Sequence, residues 1–299
     1  MSTRQACAKI IDGKKIAADI RAEAKSLVDE MLARDVRPCL AVVLVGNNSA
    51  SKVYVGSKVR ACAETGIKSL KLEIAADATE QELLDQVDKL NADDSVHGIL
   101  VQLPLPHHMN EERVIERINP AKDVDGFHPE NVGKLSIGID CLTPCTPSGI
   151  PEMIARSGIK LSGKHAVIIG RSNIVGKPLM NILLQKGQKA NCTVTCCHSG
   201  TDHLAKYTRQ ADILIAAIGV PEFVTAGMVK EGATVIDVGI NRVEDQEHSH
   251  GYRLVGDVDF DDVKDVAGAI TPVPGGVGPM TVAMLMMNTV KATQMIHSR

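Results

Sequence analysis

The sequence predicts an α/β protein of two domains, each a parallel sheet covered by helices. Short apolar runs alternate with helix-period patterns from Leu40 onward, and a strand followed by a helix is the unit from which parallel sheets are built. The runs themselves ("LAVVLVG", "HGILVQL", "KHAVIIG", "DILIAAIG") are almost continuously apolar, as strands buried on both faces are. The length of 299 residues suits about two such domains.

A helical pattern begins near Lys14. The first series then reads "LAVVLVG" strand, helix over 49–65, "IKSLKLEI" strand, helix over 79–90, "HGILVQL" strand and helix over 111–117. "NPAKDVDGFHPENVGKL" reads as a loop. Thr146 is placed to cap a helix whose first residue is Pro147, a suitable link between domains. The second series reads "KHAVIIG" strand, helix over 175–186, "CTVTCC" strand, a helix near His203, "DILIAAIG" strand and "ATVIDVG" strand. "NRVEDQEHSHGYR" is a solvated hairpin or loop, and "TPVPGGVGPM" leads into an apolar helix from 279 to about 295.

Composition excludes several classes of function. Hydrophobic residues make up 44%, charged residues 23%, and the net charge is −3, which gives no electrostatic attraction to nucleic acid or to a membrane surface. No apolar run is long enough to span a bilayer. The N-terminus lacks a secretory stretch, and too little chain precedes the first helix for a transit peptide, which points to the cytoplasm. Eight cysteines contain no Cys-x-x-Cys pair. Cys141 and Cys145, like Cys192 and Cys196, stand four apart, but the expectation is reduced thiols and no metal centre.

In the second series "IIGRSNIVGKP" puts glycines at a strand end and opens a helix, the context of a phosphate-binding turn. The spacing departs from G-x-G-x-x-G. Gly170 supplies the tight turn, Ser172 stands where a glycine normally admits the pyrophosphate, and Gly176 follows one position late. The next strand ends in His198 and Ser199 rather than the carboxylate that holds the ribose of NAD. Nothing there repels a 2′-phosphate, while Arg171 and Ser199 can bind one, so NADP is favoured over NAD. A solvated turn cation is the other reading of Arg171. Gly219 and Gly239 end the following strands and allow backbone to approach the nicotinamide end.

In the first series Val55, Val59 and Cys62 make the core stripe of a helix, with Tyr54, Lys58 and Ala61 one residue round at its border. A lysine amine beside apolar surface and an aromatic ring is suited to general acid–base work, although a surface lysine with a buried stem fits the same spacing. Gln102 interrupts an otherwise apolar strand at its carboxyl end, where ligand crevices of parallel sheets lie. It either meets Lys58 and a substrate or anchors a loop. In "KDVDGF" one of Asp123 and Asp125 can close an Asx turn and the other accept hydrogen bonds from a ring rich in N–H donors. Gly275, Gly276 and Gly278 form a wall for a flat ligand or a flexible connector.

Taken in order, "YVGSK", "VQLPLP", "KDVDGF", "GRSNIVGKP" and "TPVPGGVGPMT" closely resemble the bifunctional methylenetetrahydrofolate dehydrogenase/methenyltetrahydrofolate cyclohydrolase family, from about Ile10 to the C-terminus. The resemblance implies an N-terminal three-layer catalytic domain, residues 1–149 completed by 279–299. It implies a C-terminal Rossmann-like NADP-binding domain, residues 150–278, with the last helix packing back on the N-terminal domain. By that resemblance Tyr54 stacks on the folate, Lys58 is the catalytic group, and Gln102, between Val101 and Leu103 in the substrate site, tunes it. Asp125 holds the pterin, and Pro274, Gly275, Gly276, Val277 and Gly278 line the folate pocket. Gly170, Arg171, Ser172, Ile174, Ser199 and Ile240 hold NADP. The substrates implied are tetrahydrofolate derivatives, converted in one cleft, by a homodimer. A monofunctional NAD(P)-dependent dehydrogenase of similar fold and a non-catalytic nucleotide-binding protein are the alternatives.

Overall fold

This computed structural model describes residues 7–245 and 251–298. The chain begins with β1 (Lys9–Ile10) and α1 (Gly13–Leu32), followed by β2 (Cys39–Val45), α2 (Ser49–Thr65), β3 (Lys68–Ile74), α3 (Glu80–Ala92), β4 (Gly98–Val101), α4 (Glu111–Arg117) and α5 (Pro129–Ser136). It continues through α6 (Cys145–Arg156), β5 (His165–Ile169), α7 (Gly176–Leu184), β6 (Thr193–Cys197), α8 (Leu204–Thr208), β7 (Ile213–Ala216) and β8 (Thr234–Asp237). Last come β9 (Asn241–Glu244), β10 (Tyr252–Val255), α9 (Phe260–Val263), β11 (Ala269–Ile270) and α10 (Val277–His297). Two compact units result: residues up to Ile16 with Thr146–Thr281, and Ala17–Cys145 with the chain from Val282 onward.

In the second of these units the sheet order is β3–β2–β4, all parallel. The central strand explains the layering. Leu40, Val42 and Leu44 share a core with α1, α2 and α10, while Cys39, Ala41, Val43 and Val45 share one with α3 and α4. Successive side chains of a strand point to opposite faces, so an unbroken apolar run commits both faces to burial. Each large aliphatic side chain removed from water contributes about 1.5–3 kcal/mol. The last helix packs on α1 through Leu285, Met286, Val290 and Ala292. Helix starts are marked by side-chain oxygens that accept the first free N–H groups: Asn48 for α2, Thr79 with Glu82 for α3, Asn110 for α4.

The other unit carries a six-stranded parallel sheet, order β1–β11–β8–β7–β5–β6. The chain places β6 on one side of β5 and then crosses to place β7 on the other. That reversal makes the carboxyl ends of β5 and β7 a topological switch point, where open α/β sheets bind ligands.

Several expectations need correction. The segment expected as a loop before Leu135 contains α5, because His128 accepts the Glu130 N–H through its ring and Pro129 occupies the first turn. Thr146 does not cap α6, which starts at Cys145; its hydroxyl instead bonds to that of Thr281 at 2.7 Å. The strand expected to include Gln102 ends at Val101, and the helix expected through residue 186 ends at Leu184. Ala61 is core rather than border, 3% exposed. The two-residue strands β1, at the sheet edge, and β11, between β1 and β8, carry too little pattern to be seen in sequence. β9 and β10 pair as an antiparallel hairpin, whose residues 246–250 lie outside the described residues. Among the described residues no helix is long and apolar enough to cross a membrane.

Candidate active site

Lys58 stands on the partly buried border of α2, and its Nζ donates to Gln102 Oε1 at 2.9 Å. The glutamine is held before the lysine reaches it. Its backbone N–H continues the ladder to Val43 O at 2.8 Å, and Nε2 donates to Leu103 O at 2.6 Å. With the amide nitrogen anchored, the oxygen must face the amine. The expected meeting of Lys58 and Gln102 is therefore present, and the ammonium keeps N–H groups free for a ligand. Tyr54, one turn earlier, leaves half its surface in water, so a flat ring can lie on it. Val101 is buried under the strand end and Leu103 partly so.

"KDVDGF" divides its carboxylates as the Asx argument requires. Asp123 is buried and accepts from the N–H groups of Gly126 and His128 and from Asn131 Nδ2, at 2.8–3.1 Å. It ties the loop. Asp125 has no hydrogen-bond partner among the described residues. Removal from water pushes its carboxyl up to about 6, against the pull of the nearby Lys58 charge. Its backbone is fixed by a residue that sequence reasoning missed: Asn288 of α10 donates to Val124 O and Thr143 O, both at 2.8 Å. Cys145, buried beside it, donates to Val124 O. A lone amide in "MLMMNTV" was the available signal. A held amine, a partly buried aromatic face and an unpartnered carboxyl can together bind a polar heterocycle and move a proton.

In the sheet unit Gly170 ends β5 with φ +119°, and a Cβ there would lie 2.1 Å from Ala217 O at the end of β7. Only glycine fits this crossing. Ser172 Oγ accepts the N–H groups of Val175 and Gly176 at 3.1 and 3.4 Å, which ties the turn to the start of α7 and leaves its hydrogen free. Register pairs Ile169 with Cys197, so the turns carrying Arg171 and Ser199 leave the sheet from adjacent strands. Both residues are exposed and neither has a hydrogen-bond partner among the described residues. Ile174, 49% exposed, adds apolar surface. A tight turn, free N–H and O–H donors and one unpaired cation suit a dinucleotide with an extra phosphate.

Gly219 and Gly239 end β7 and β8, with Ile240, 46% exposed, beside them. Two buried carboxylates not singled out from sequence lie behind these turns, Asp237 and Asp257. Pro274, Gly275, Gly276, Val277 and Gly278 belong to the same unit. Gly275 O accepts the Lys14 N–H at 3.1 Å, and Val277 already starts α10, so the segment is anchored rather than a loose connector.

A Rossmann-like unit with a prepared phosphate turn, carried in one chain with an α/β unit that presents a lysine–glutamine pair, defines a dinucleotide-dependent enzyme with an acid–base centre. Comparison with known proteins makes this specific. Residues 11–125 match the catalytic domain of tetrahydrofolate dehydrogenase/cyclohydrolase, and residues 144–297 match its NAD(P)-binding domain. The chain is 55% identical over 292 residues to the bifunctional protein FolD of Prosthecochloris aestuarii, covering 97% of this chain and 99% of that one. Among solved structures, the bifunctional FolD methylenetetrahydrofolate dehydrogenase/cyclohydrolase of Campylobacter jejuni superposes with TM-score 0.90 at 49% identity, covering 96% and 99% of the two chains. A methylenetetrahydrofolate dehydrogenase-cyclohydrolase of Trypanosoma brucei, solved with NADP cofactor and inhibitor, does so at 0.90 with 38% identity, covering 97% and 98%. The chain belongs to the tetrahydrofolate dehydrogenase/cyclohydrolase family.

Proposed function

We infer that the chain oxidises 5,10-methylenetetrahydrofolate to 5,10-methenyltetrahydrofolate with NADP and hydrolyses that product to 10-formyltetrahydrofolate. The observation that carries this reading is the 55% identity along the whole chain to a bifunctional relative. It is joined to a chain that carries both a Lys58–Gln102 bond and a dinucleotide turn. NADP, when bound, supplies the acceptor for the hydride.

The protein's part in the oxidation is alignment, for which no acid is required. Tyr54 offers a face to the pterin ring, and Asp125 accepts from its N–H groups. Pro274, Gly275, Gly276, Val277 and Gly278 are assigned to the folate, with Val101 and Leu103. Gly170, Arg171, Ser172, Ile174, Ser199, Gly219, Gly239 and Ile240 are assigned to NADP. Hydrolysis asks more. Water adds to the cationic methenyl carbon and loses one proton, a proton reaches the ring nitrogen as its bond to carbon breaks, and the remaining hydroxyl proton leaves so that the oxygen becomes the formyl carbonyl, with one proton released overall. Lys58 is the group that carries the proton to nitrogen, and Gln102 keeps the amine aimed. A monofunctional dehydrogenase has no use for this pair.

We further infer a cytoplasmic homodimer. All eight cysteines are free thiols, which suits a reducing compartment, and the exposed apolar side chains of Val220, Phe223 and Leu254 suit a protein partner. The test is to supply 5,10-methylenetetrahydrofolate and NADP, following NADPH and the methenyl product together. NADPH should appear while the methenyl species is consumed. No NADPH would dismiss the reading, and a methenyl product decaying at the uncatalysed rate would reduce it to a dehydrogenase. Light scattering should give twice the 31.9 kDa of one chain.

A further inference from the structure

Behind the turns that follow β7 and β8 lies a pair of carboxylates with no cationic partner among the described residues. Asp257 is 0% and Asp237 3% exposed, and neither has an ion-pair partner among the described residues. Their oxygens are occupied by backbone. Asp257 Oδ2 accepts the N–H groups of Ile218 and Gly219 at 2.7 and 3.0 Å, and Oδ1 accepts Asn241 Nδ2 at 2.9 Å. Asp237 Oδ1 accepts the N–H groups of Gly239 and of Asp257 itself, at 3.0 and 2.9 Å, and Oδ2 that of Val258 at 2.9 Å. The two side chains thus form a continuous strut from the end of β7 to the end of β8. The fit is close: a Cβ on Gly239 would lie 2.2 Å from Asp257 Oδ1.

Such an arrangement is costly. Burial pushes the Asp237 carboxyl up to about 7, with the neighbouring Asp257 charge adding to the rise. A neutral side chain could not accept every one of these N–H groups, because each oxygen of a carboxylate has two lone pairs and carries no hydrogen. What the pair secures is therefore backbone geometry at two adjacent turns. Burial deep behind a turn, electrostatic cost and dedication to N–H groups together mark a support for a binding surface.

We propose that Asp257, braced by Asp237, is a positioning residue for the dinucleotide: it holds the Ile218–Gly219 and Gly239–Ile240 turns in the shape that receives the nicotinamide end. This rests on the assignment of those turns to NADP. Asp257→Ala should release the Ile218 and Gly219 N–H groups, raise the KM for NADP about tenfold or more, and leave hydrolysis of 5,10-methenyltetrahydrofolate, assayed without dinucleotide, within about twofold. Asp257→Asn should recover most of the loss, because one amide oxygen can still accept from Ile218 and Gly219 while the Asn241 amide turns over to accept its N–H. Should Asp257→Ala fail to fold, Asn241→Ala, which frees Oδ1, should raise the NADP KM about threefold with hydrolysis unchanged. Proportional loss of both activities in these variants, or an NADP KM that does not move, would overturn the proposal. Ile240→Asp separates the premise from the inference. If it shifts the NADP KM while Asp257→Ala and Asn241→Ala do not, the strut alone is refuted; if none of the three does, the turns do not receive the dinucleotide.

Discussion

The lysine corner of the smaller sheet and the dinucleotide end of the larger one are built on opposite plans. At the corner the groups proposed to meet the ligand are side chains: the Lys58 amine, the Gln102 amide, the Asp125 carboxyl and the Tyr54 ring, with backbone serving to hold them. At the dinucleotide end the prepared surface is largely backbone, turned by Gly170 and Gly239 and fastened from behind by side chains that are themselves buried. Proton transfer needs a titratable group that can be aimed, whereas pyrophosphate and nicotinamide need donors at fixed spacing and room for close approach. Substitutions should therefore act differently in the two places: on rate at the corner, on affinity at the turns.

The sharpest way to break that distinction is Lys58→Met. Loss of a positioned acid–base group costs about 100- to 10,000-fold, so cyclohydrolase turnover should fall by that much while NADP affinity, measured by titration, changes less than about twofold. Near-normal hydrolysis would remove the proton-transfer role. The complementary variant is Gly170→Ala, whose Cβ would meet Ala217 O at 2.1 Å with φ at +119°. A forced shift of backbone against backbone should cost about 3 kcal/mol, lower the melting temperature of the protein, and remove NADP binding. An alanine variant that melts and binds like the parent would mean that the turn is not held by this crossing.

Smaller and more specific is Arg171→Ala. The guanidinium is exposed and has no partner among the described residues, so its removal orphans none of them, and the loss should be that of one charge-assisted contact. Affinity for NADP should drop about 10- to 100-fold and affinity for NAD by less than about twofold. Equal losses for both would place the 2′-phosphate elsewhere.

The same contrast explains what could be read before the structure. Lys58 and Gln102 stood out because each is a polar residue breaking an apolar pattern at a helix border or strand end, where polarity requires a reason, whereas Asp125 and Asp123 stood out as paired carboxylates before a glycine and only the family resemblance chose between them. Gly170 stood out because turn chemistry is written in residue type. Asp257 and Asp237 were invisible for the opposite reason: "GDVDF" and "VIDVG" look like ordinary strand-end carboxylates, and only tertiary proximity shows that their oxygens take up other turns' N–H groups. Asn288 lies 163 residues after the Asp125 it supports, and no local period encodes that meeting. The helix α5 was legible through Pro129 and Glu130 but was overshadowed by the turn residues preceding it. The strands of the two sheet centres, with apolar character on both faces, were the easiest of all.

The finest discrimination lies in Asp125, the carboxyl at the corner with no hydrogen-bond partner among the described residues. Asp125 holds its proton up to about 6 in the folded protein, against the ordinary aspartate value near 4 when unfolded. Between those two values the folded state binds the extra proton, so this residue makes stability fall as pH rises through that window, and its ionised form is a net cost above it. Asn at this position is neutral at every pH and of equal size. Asp125→Asn should therefore be more stable than the parent by about 1–2 kcal/mol at pH 8, part of the gain being offset by the charge that Lys58 loses as a neighbour. The difference should vanish near pH 4, as read from urea midpoints at both values, while folate affinity falls at each. A parent that is the more stable protein at pH 8 would show that the Lys58 charge outweighs burial.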